Sequence, residues 1–533
     1  MMVTTAHSVG PTTPPVRETT LGGILVEAAA TEPDRLAIVA SGSGESWTYH
    51  ELHQFACAGA DALAVRFAPG ERVAVWAHNV PEWVIAEFAC ALAGLVIVTV
   101  NPAFTPREAQ YVLAQSGAAG VLTVGDYRGS PLLQIAETLR AECPALREVI
   151  DLEQFGALAR NSAGAGVALP GTHAGDAVMI QYTSGTTGRP KGAVLNHRGL
   201  VNNGHHTLRQ MGIESGDVTL TVMPLFHTAG SVLCVLGAVS NQATQVLVPS
   251  FEPGHVLDVI EKYGVNALLA VPTMLIALVE HPSFSIRDLS SVRVVGSGGA
   301  TVPPPLVERL EQALDADFVI IMGQTEASPV SAMTRPDDSP DDKANTIGTA
   351  MPGVELKIVD PTTGATVSPG EVGEYCTRGY HVMDGYYQMP QETAQAIDAD
   401  GWLHSGDLCS MDERGYCRIE GRLKDMIIRG GENVYPREIE DRLYQHPAVG
   451  EVAVLGLPDD RWGEVVAAFV RPALGQVPRA TALQTWVRAS LSAHKAPQHW
   501  FIVDAFPLTG SGKIQKFKLL EGWQAGDVAP MGE

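Results

Sequence analysis

Residues 182–192 read YTSGTTGRPKG, which packs four small hydroxylated side chains, three glycines, one proline and two cations into eleven positions. Gly185, Gly188 and Gly192 let a backbone turn with positive φ and come close to a ligand. Successive backbone N–H groups, joined by the hydroxyls of Thr183, Ser184, Thr186 and Thr187, make a concave donor surface suited to phosphate oxygens. Lys191 adds a full positive charge. The spacing is not the Walker form, because no Gly-Lys-Ser/Thr closes it. One glycine-rich loop with a lysine is a weak signal, and a surface turn is the plain alternative. Here the string follows AVMI (177–180), which reads as a buried strand, and that context favours a phosphate cradle.

The elements that must hold such a loop are legible upstream and downstream. From about residue 21 to about 420, short apolar runs alternate with amphipathic segments at distances suited to βαβ units. The runs include RVAVWA (72–77), GLVIVTV (94–100), GVLTV (120–124), AVMIQY (177–182), QVLVP (245–249), ALLAVP (267–272), VRVVGSG (292–298) and DFVIIMG (317–323). Ligands collect at the carboxyl ends of strands in open α/β sheets. Three such ends, after Ile180, Val295 and Ile321, carry polar glycine-rich sequence. Near residue 421 the pattern changes. GRLKDMIIRGGENVYP is followed by the helical REIEDRLYQHP, then EVAVLGLP, VVAAFVRP, a last helix and FIVDAFPLTGSGKIQK. This predicts a compact α+β unit of roughly a hundred residues. The expected division is a flexible N-terminus (1–20), an α/β core (21–420), a polar, glycine-bearing hinge (421–426) and a small C-terminal unit (427–533).

Bulk properties narrow the functional class. A chain of 533 residues with 45% apolar and 18% charged residues folds around more than one core. A formal charge of −23 repels nucleic acid and anionic lipid surfaces. The seven cysteines have no CxxC pair, which suits a reducing compartment and argues against zinc. Residues 83–100 are the most apolar, but Glu87 and Gly94 interrupt them. A buried helix followed by a buried parallel strand is expected there, not a membrane span. The Pro- and Thr-rich start lacks the apolar core of a signal peptide, so a soluble cytoplasmic protein is expected.

The string at 182–192 closely resembles the phosphate-binding signature of the adenylate-forming superfamily: acyl-CoA synthetases, luciferases and the adenylation domains of peptide synthetases. Further matching motifs follow in order: MPLFHTAG (223–230), GSGGA (296–300), GQTEAS (323–328), GWLHSGDL (401–408), GRLKDMIIRGGENVYPREIE (421–440) and PLTGSGKIQK (507–516). The resemblance implies a large N-terminal domain of parallel-type sheets sandwiched by helices and a small mobile C-terminal lid. It also implies two half-reactions. A carboxylate attacks the α-phosphorus of ATP, giving an acyl-adenylate and pyrophosphate, and the thiol of coenzyme A then displaces AMP.

Carried over residue by residue, the resemblance makes Glu326 the Mg²⁺ ligand, since Mg²⁺ keeps its waters and substrate phosphates and takes few protein groups. Thr325 would contact the α-phosphate. Gly298, Gly299 and Ala300 would let adenine lie flat, with Met322 and Gly323 beside it. Asp407 would accept the ribose hydroxyls and Arg422 would reach ribose or phosphate; an interdomain salt bridge is the structural alternative for both. Lys513 would swing in from the lid to neutralise charge between carboxylate and α-phosphate. Lys424 would be the hinge residue, and Gly430 and Gly431 would line the tunnel for the pantetheine arm. His227 would gate and position the acyl carboxylate without acting as a base.

Two departures carry information. The family usually has Tyr, sometimes Phe or Trp, where this chain has Met322. A thioether is a poorer stacking surface, which would weaken ATP binding or favour one half-reaction. FHTAG lacks the Asp that pairs with an amino acid's ammonium group, and segments 223–234, 271–275 and 297–301 are apolar, so the expected acid is hydrophobic. The reading is an AMP-forming carboxylic acid–CoA ligase. The alternatives are a relative limited to one half-reaction or one that loads a separate carrier protein. A homodimer is compatible with the sequence, which leaves the assembly state open.

Overall fold

The computed structural model describes residues 3–161, 171–183, 190–300, 302–430, 432–459, 461–508 and 514–532. Among these, the strands form four sheets. The first, of seven strands, orders Gly385–Tyr386, Lys191–Asn196, Ala177–Thr183, Val96–Val100, Arg72–Trp76, Gly120–Thr123 and Glu148–Asp151. Its last five strands run parallel, while Lys191–Asn196 and Gly385–Tyr386 are antiparallel additions at one edge. The second, of nine strands, has a parallel centre in the order Asp317–Gly323, Val294–Gly298, Ala267–Leu269, Val218–Thr221, Thr244–Leu247 and Leu36–Ala40.

Strands covered on both faces read as continuous apolar runs. Val96–Val100, the sequence VIVTV, is buried at every position. Residues 83–100 resolve as expected into a buried helix, Pro81–Leu92, and this parallel strand. Glu87 is fully buried in that helix, and burial holds its carboxyl well above the usual carboxylate range. Helix ends follow their local signals: Thr105 and Glu108 form a capping box ahead of Pro106–Ser116, and Gly117 ends it in the left-handed conformation.

Three features depart from the sequence expectation. Residues 3–20 are built into the fold. His7–Val9 pairs antiparallel with Val354–Val359, and Ala6 is wholly buried. That pairing belongs to a third sheet, His7–Val9, Val354–Val359, Gly373–Gly379, Leu403–Met411 and Cys417–Arg422, which is antiparallel throughout. Parallel-type sheets therefore describe only part of the large unit. A further helix, Lys516–Ala525, follows the one expected to be last, Ala480–Arg488.

The third sheet ends at Arg422, and a 3₁₀ turn, Leu423–Asp425, leads into the fourth. That sheet centres on the antiparallel pair Val449–Asp459 and Gly463–Pro472 and has its own core, including Ile439, Leu443, Val454 and Val466. Residues after 426 thus have core clusters of their own.

Candidate active site

Four neighbouring parallel strands of the nine-stranded sheet deliver their carboxyl ends to one pocket. Gly298 and Gly323 close two of them, Ala270 and Val271 follow the third, and the loop carrying His227 and Thr228 follows the fourth. Ligands gather on this side of such sheets. Met223, Leu233, Leu269, Ile321, Gln324, Thr325 and Val330 complete much of the wall, and among the described residues the lining holds no Asp, Glu, Lys or Arg. Glycine is required where strands crowd: a Cβ on Gly298 would stand 2.1 Å from the Ile321 carbonyl oxygen. Gly299, in the left-handed region at φ +75°, then turns the chain so that Ala300 lies exposed.

The MPLFHTAG loop, which follows a strand of the nine-stranded sheet, is held by two residues from the seven-stranded one. Gln181 Nε2 donates to the Phe226 carbonyl at 2.6 Å, and Asn79 Nδ2 donates to the Met223 carbonyl at 3.1 Å. His227 Nδ1 accepts from the Ala229 N–H at 3.1 Å. A π-helix, Ala229–Leu236, begins directly after it, a form frequent at functional sites. His227 therefore sits in the pocket wall, with its Nδ1 engaged by backbone.

Thr325 and Glu326 lie in a short 3₁₀ turn, Thr325–Ala327, after the strand end. Tyr386 donates its hydroxyl to Glu326 Oε1 at 2.7 Å, and the Lys191 ammonium lies 4.1 Å from the centre of the same ring. Burial first, then the charge of Glu326, pushes the Tyr386 phenol far above its usual range, so it keeps its proton and donates. Among the described residues, Oε2 of Glu326 takes no hydrogen bond. The base of the 182–192 loop is set by the antiparallel pair Thr183 and Lys191. Ser184, Gly185, Thr186, Thr187 and Gly188 lie outside the described residues, as do Gly431 and Lys513.

Met322 is buried in the core of the large sheet, between Ile321 and Gly323, both of which line the pocket. Met322 itself is not among the residues that line it.

Asp407 and Arg422 are directly opposite each other on adjacent strands, with Arg422 Nε 3.0 Å from Asp407 Oδ1. The ion pair is therefore made within one sheet, not between domains. Asp407 is buried and Arg422 exposed, so the pair presents a fixed carboxylate beside a guanidinium that water screens. The turn before Asp407 is anchored by Glu374, whose carboxylate accepts from the Gly406 N–H at 3.1 Å and bonds the His404 Nδ1 at 2.8 Å. Cys376 joins that cluster. Both oxygens of Glu374 are already engaged, so the trio braces the turn.

Lys424 lies in the 3₁₀ turn that joins the two units. Gly430, at φ +62°, closes the hairpin of Ile427–Arg429 and Glu432–Val434, and a Cβ there would press within 2.8 Å of the Trp462 ring. That ring is 40% exposed and flanked by the guanidiniums of Arg429 and Arg461.

The chain matches the family described as AMP-binding enzyme over residues 25–387 and the AMP-binding enzyme C-terminal domain over 438–513. It belongs to the AMP-binding enzyme family. YngI of Bacillus subtilis (strain 168) is 39% identical over 530 residues, spanning 94% of this chain and 96% of that one. Medium-chain acyl-CoA ligase ACSF2, mitochondrial, of Rattus norvegicus is 34% identical over 542 residues, spanning 94% and 87%. ATP-bound MatB from Rhodopseudomonas palustris superposes with a TM-score of 0.87 at 27% identity, covering 96% of this chain and 100% of that one. The apo form of MatB gives 0.78. Of the positions named from sequence, His227, Gly298, Gly299, Gly323 and Thr325 line one pocket, Lys191 and Glu326 meet at Tyr386, and Asp407 pairs with Arg422 in the antiparallel sheet; the contacts of Tyr386, Gln181 and Glu374 were not read from sequence. Only the paired aromatics of GYY (385–387) offered a signal, and a faint one.

Proposed function

We propose that the chain is an AMP-forming carboxylic acid–CoA ligase acting on an acid with a hydrophobic, uncharged tail. The observation that carries this reading is the largely apolar pocket at the strand ends, which lacks Asp, Glu, Lys and Arg among its described lining and includes Thr325, the neighbour of Glu326 in the Lys191–Tyr386–Glu326 contact. The acid's tail fills the pocket and its carboxylate emerges near His227 and Thr325. A carboxylate oxygen attacks the α-phosphorus of ATP, the bond to the bridging oxygen breaks, and pyrophosphate leaves. The loop at 182–192 cradles the phosphates and Asp407 holds the ribose. Preorganised donors at developing charge supply most of the rate gain. Glu326 fits Mg²⁺, because it offers a hard oxygen, Oε2, with no competing hydrogen bond among the described residues. When bound there, the ion would neutralise phosphate charge.

In the second step the sulfur of coenzyme A attacks the acyl carbon, the carbon–oxygen bond to AMP breaks, and the thiol proton passes to water. Gly430 and Gly431 line the path of the pantetheine arm, and the lid turns about Lys424 between the steps. Seven unpaired cysteines support a cytoplasmic setting.

The test is a panel of acids with ATP, Mg²⁺ and coenzyme A, reading pyrophosphate and AMP separately. Apolar-tailed acids are expected to release both, and amino acids neither. Turnover only with a carrier protein in place of coenzyme A would favour the carrier-loading alternative. Asp407→Ala is expected to raise the KM for ATP roughly tenfold or more, the worth of hydrogen bonds to a charged group. Steady-state kinetics at saturating acid checks it.

A further inference from the structure

Outside the sequence motifs, residues 383–387 touch both halves of the nucleotide site. Gly385–Tyr386 pairs with the strand Lys191–Asn196 that leaves the 182–192 loop, through Gly385 with Val194 and Tyr386 with Ala193. The Asp384 N–H donates to the Val194 carbonyl at 2.9 Å, and the Tyr387 N–H donates to the Gly192 carbonyl at 2.8 Å. On its other side the same segment grips the Glu326 turn twice. The Met383 N–H donates to the Glu326 carbonyl at 2.9 Å, and the Tyr386 hydroxyl donates to Glu326 Oε1 at 2.7 Å. The Tyr386 N–H is itself tied to Thr393 Oγ1 at 2.9 Å. One side chain thus contacts a cation from the loop with its ring face and a carboxylate from a different sheet with its hydroxyl.

We infer that Tyr386 is a positioning residue that sets Glu326 for the divalent cation of the nucleotide and sets Lys191 for its phosphates. By occupying Oε1, the hydroxyl leaves Oε2 as the oxygen presented to the metal. By placing negative π-density under the ammonium, the ring holds Lys191 beside the loop base. The two functions reside in separable atoms. Tyr386→Phe removes the first and keeps the second; Tyr386→Leu removes both. This inference rests on the ligase reading of the site.

Titration calorimetry with a non-hydrolysable ATP analogue, in Mg²⁺ and in EDTA, separates the outcomes. Y386F is expected to bind the analogue about tenfold more weakly in Mg²⁺, the scale of a hydrogen bond to a charged group, and as well as wild type in EDTA. Y386L is expected to weaken binding in both. Thioester formation from a supplied acyl-adenylate, which needs no triphosphate, is expected to persist in Y386F and reports an intact fold. Y386F binding that matches wild type in Mg²⁺ overturns the inference, because Glu326 then needs no donor. Equal weakening in EDTA also overturns it, because the residue then serves the fold alone. If wild type itself shows no Mg²⁺-dependent binding, the ligase reading fails first and this inference with it.

Discussion

Lys513→Ala lowers acid-dependent pyrophosphate release on the order of 10²–10³-fold, the usual cost of removing one preorganised group at developing charge, while thioester formation from supplied acyl-adenylate continues. The reason is where charge appears. In the first step a carboxylate approaches a polyanion, so a cation between them acts on the transition state more than on the bound ground state. In the second step the attacking group is a thiol and the triphosphate is gone. Lys513 stands in TGSGK, the string that carries the resemblance at this end of the chain. Rapid-quench measurement of each half-reaction checks it. Equal loss of both steps would show that the lysine serves the fold or a shared step.

Lys424→Pro produces the opposite asymmetry. Lys424 sits in the 3₁₀ turn Leu423–Asp425, the connection between the last strand of the large unit and the small one. Proline fixes φ near −65°, which such a turn already uses, so the present arrangement of the lid is tolerated. Rotation of the lid about this residue is not. Pyrophosphate release is expected to change little, whereas AMP release on adding coenzyme A slows on the order of tenfold or more, equivalent to about 1.4 kcal/mol of added barrier. Proline also restricts Leu423, so thermal unfolding of the variant separates a locked hinge from a folding defect. Equal slowing of both steps at unchanged stability would contradict a hinge role.

What the sequence disclosed follows from the range of the interactions. The parallel strands were legible because burial on both faces writes a continuous apolar run, as in Val96–Val100. The helix–strand split of residues 83–100 was legible because Glu87 and Gly94 break a membrane-like stretch. The strand His7–Val9 was not. It has three residues and its partner lies near Val354, so nothing local encodes the pairing. Helix Lys516–Ala525 was missed because it buries little beyond Leu519 and carries Gly522, leaving no apolar stripe to read.

The site divides in the same way. Glycines forced by backbone contact, such as Gly298, stand in recognisable strings because sterics fix them there. Tyr386 was missed because its value lies in reaching Glu326, sixty residues away, from a two-residue strand. The pairing of Asp407 with Arg422 was likewise a matter of register, which the order of residues does not print.

The most direct measurement is a single-turnover experiment with wild-type chain, ATP, Mg²⁺ and an accepted apolar acid in the absence of coenzyme A. A burst of pyrophosphate equal to the amount of chain, with AMP released only when coenzyme A is added, is the expected result. AMP appearing at the same rate without coenzyme A, or no burst with any acid that binds, would contradict the two-step ligase.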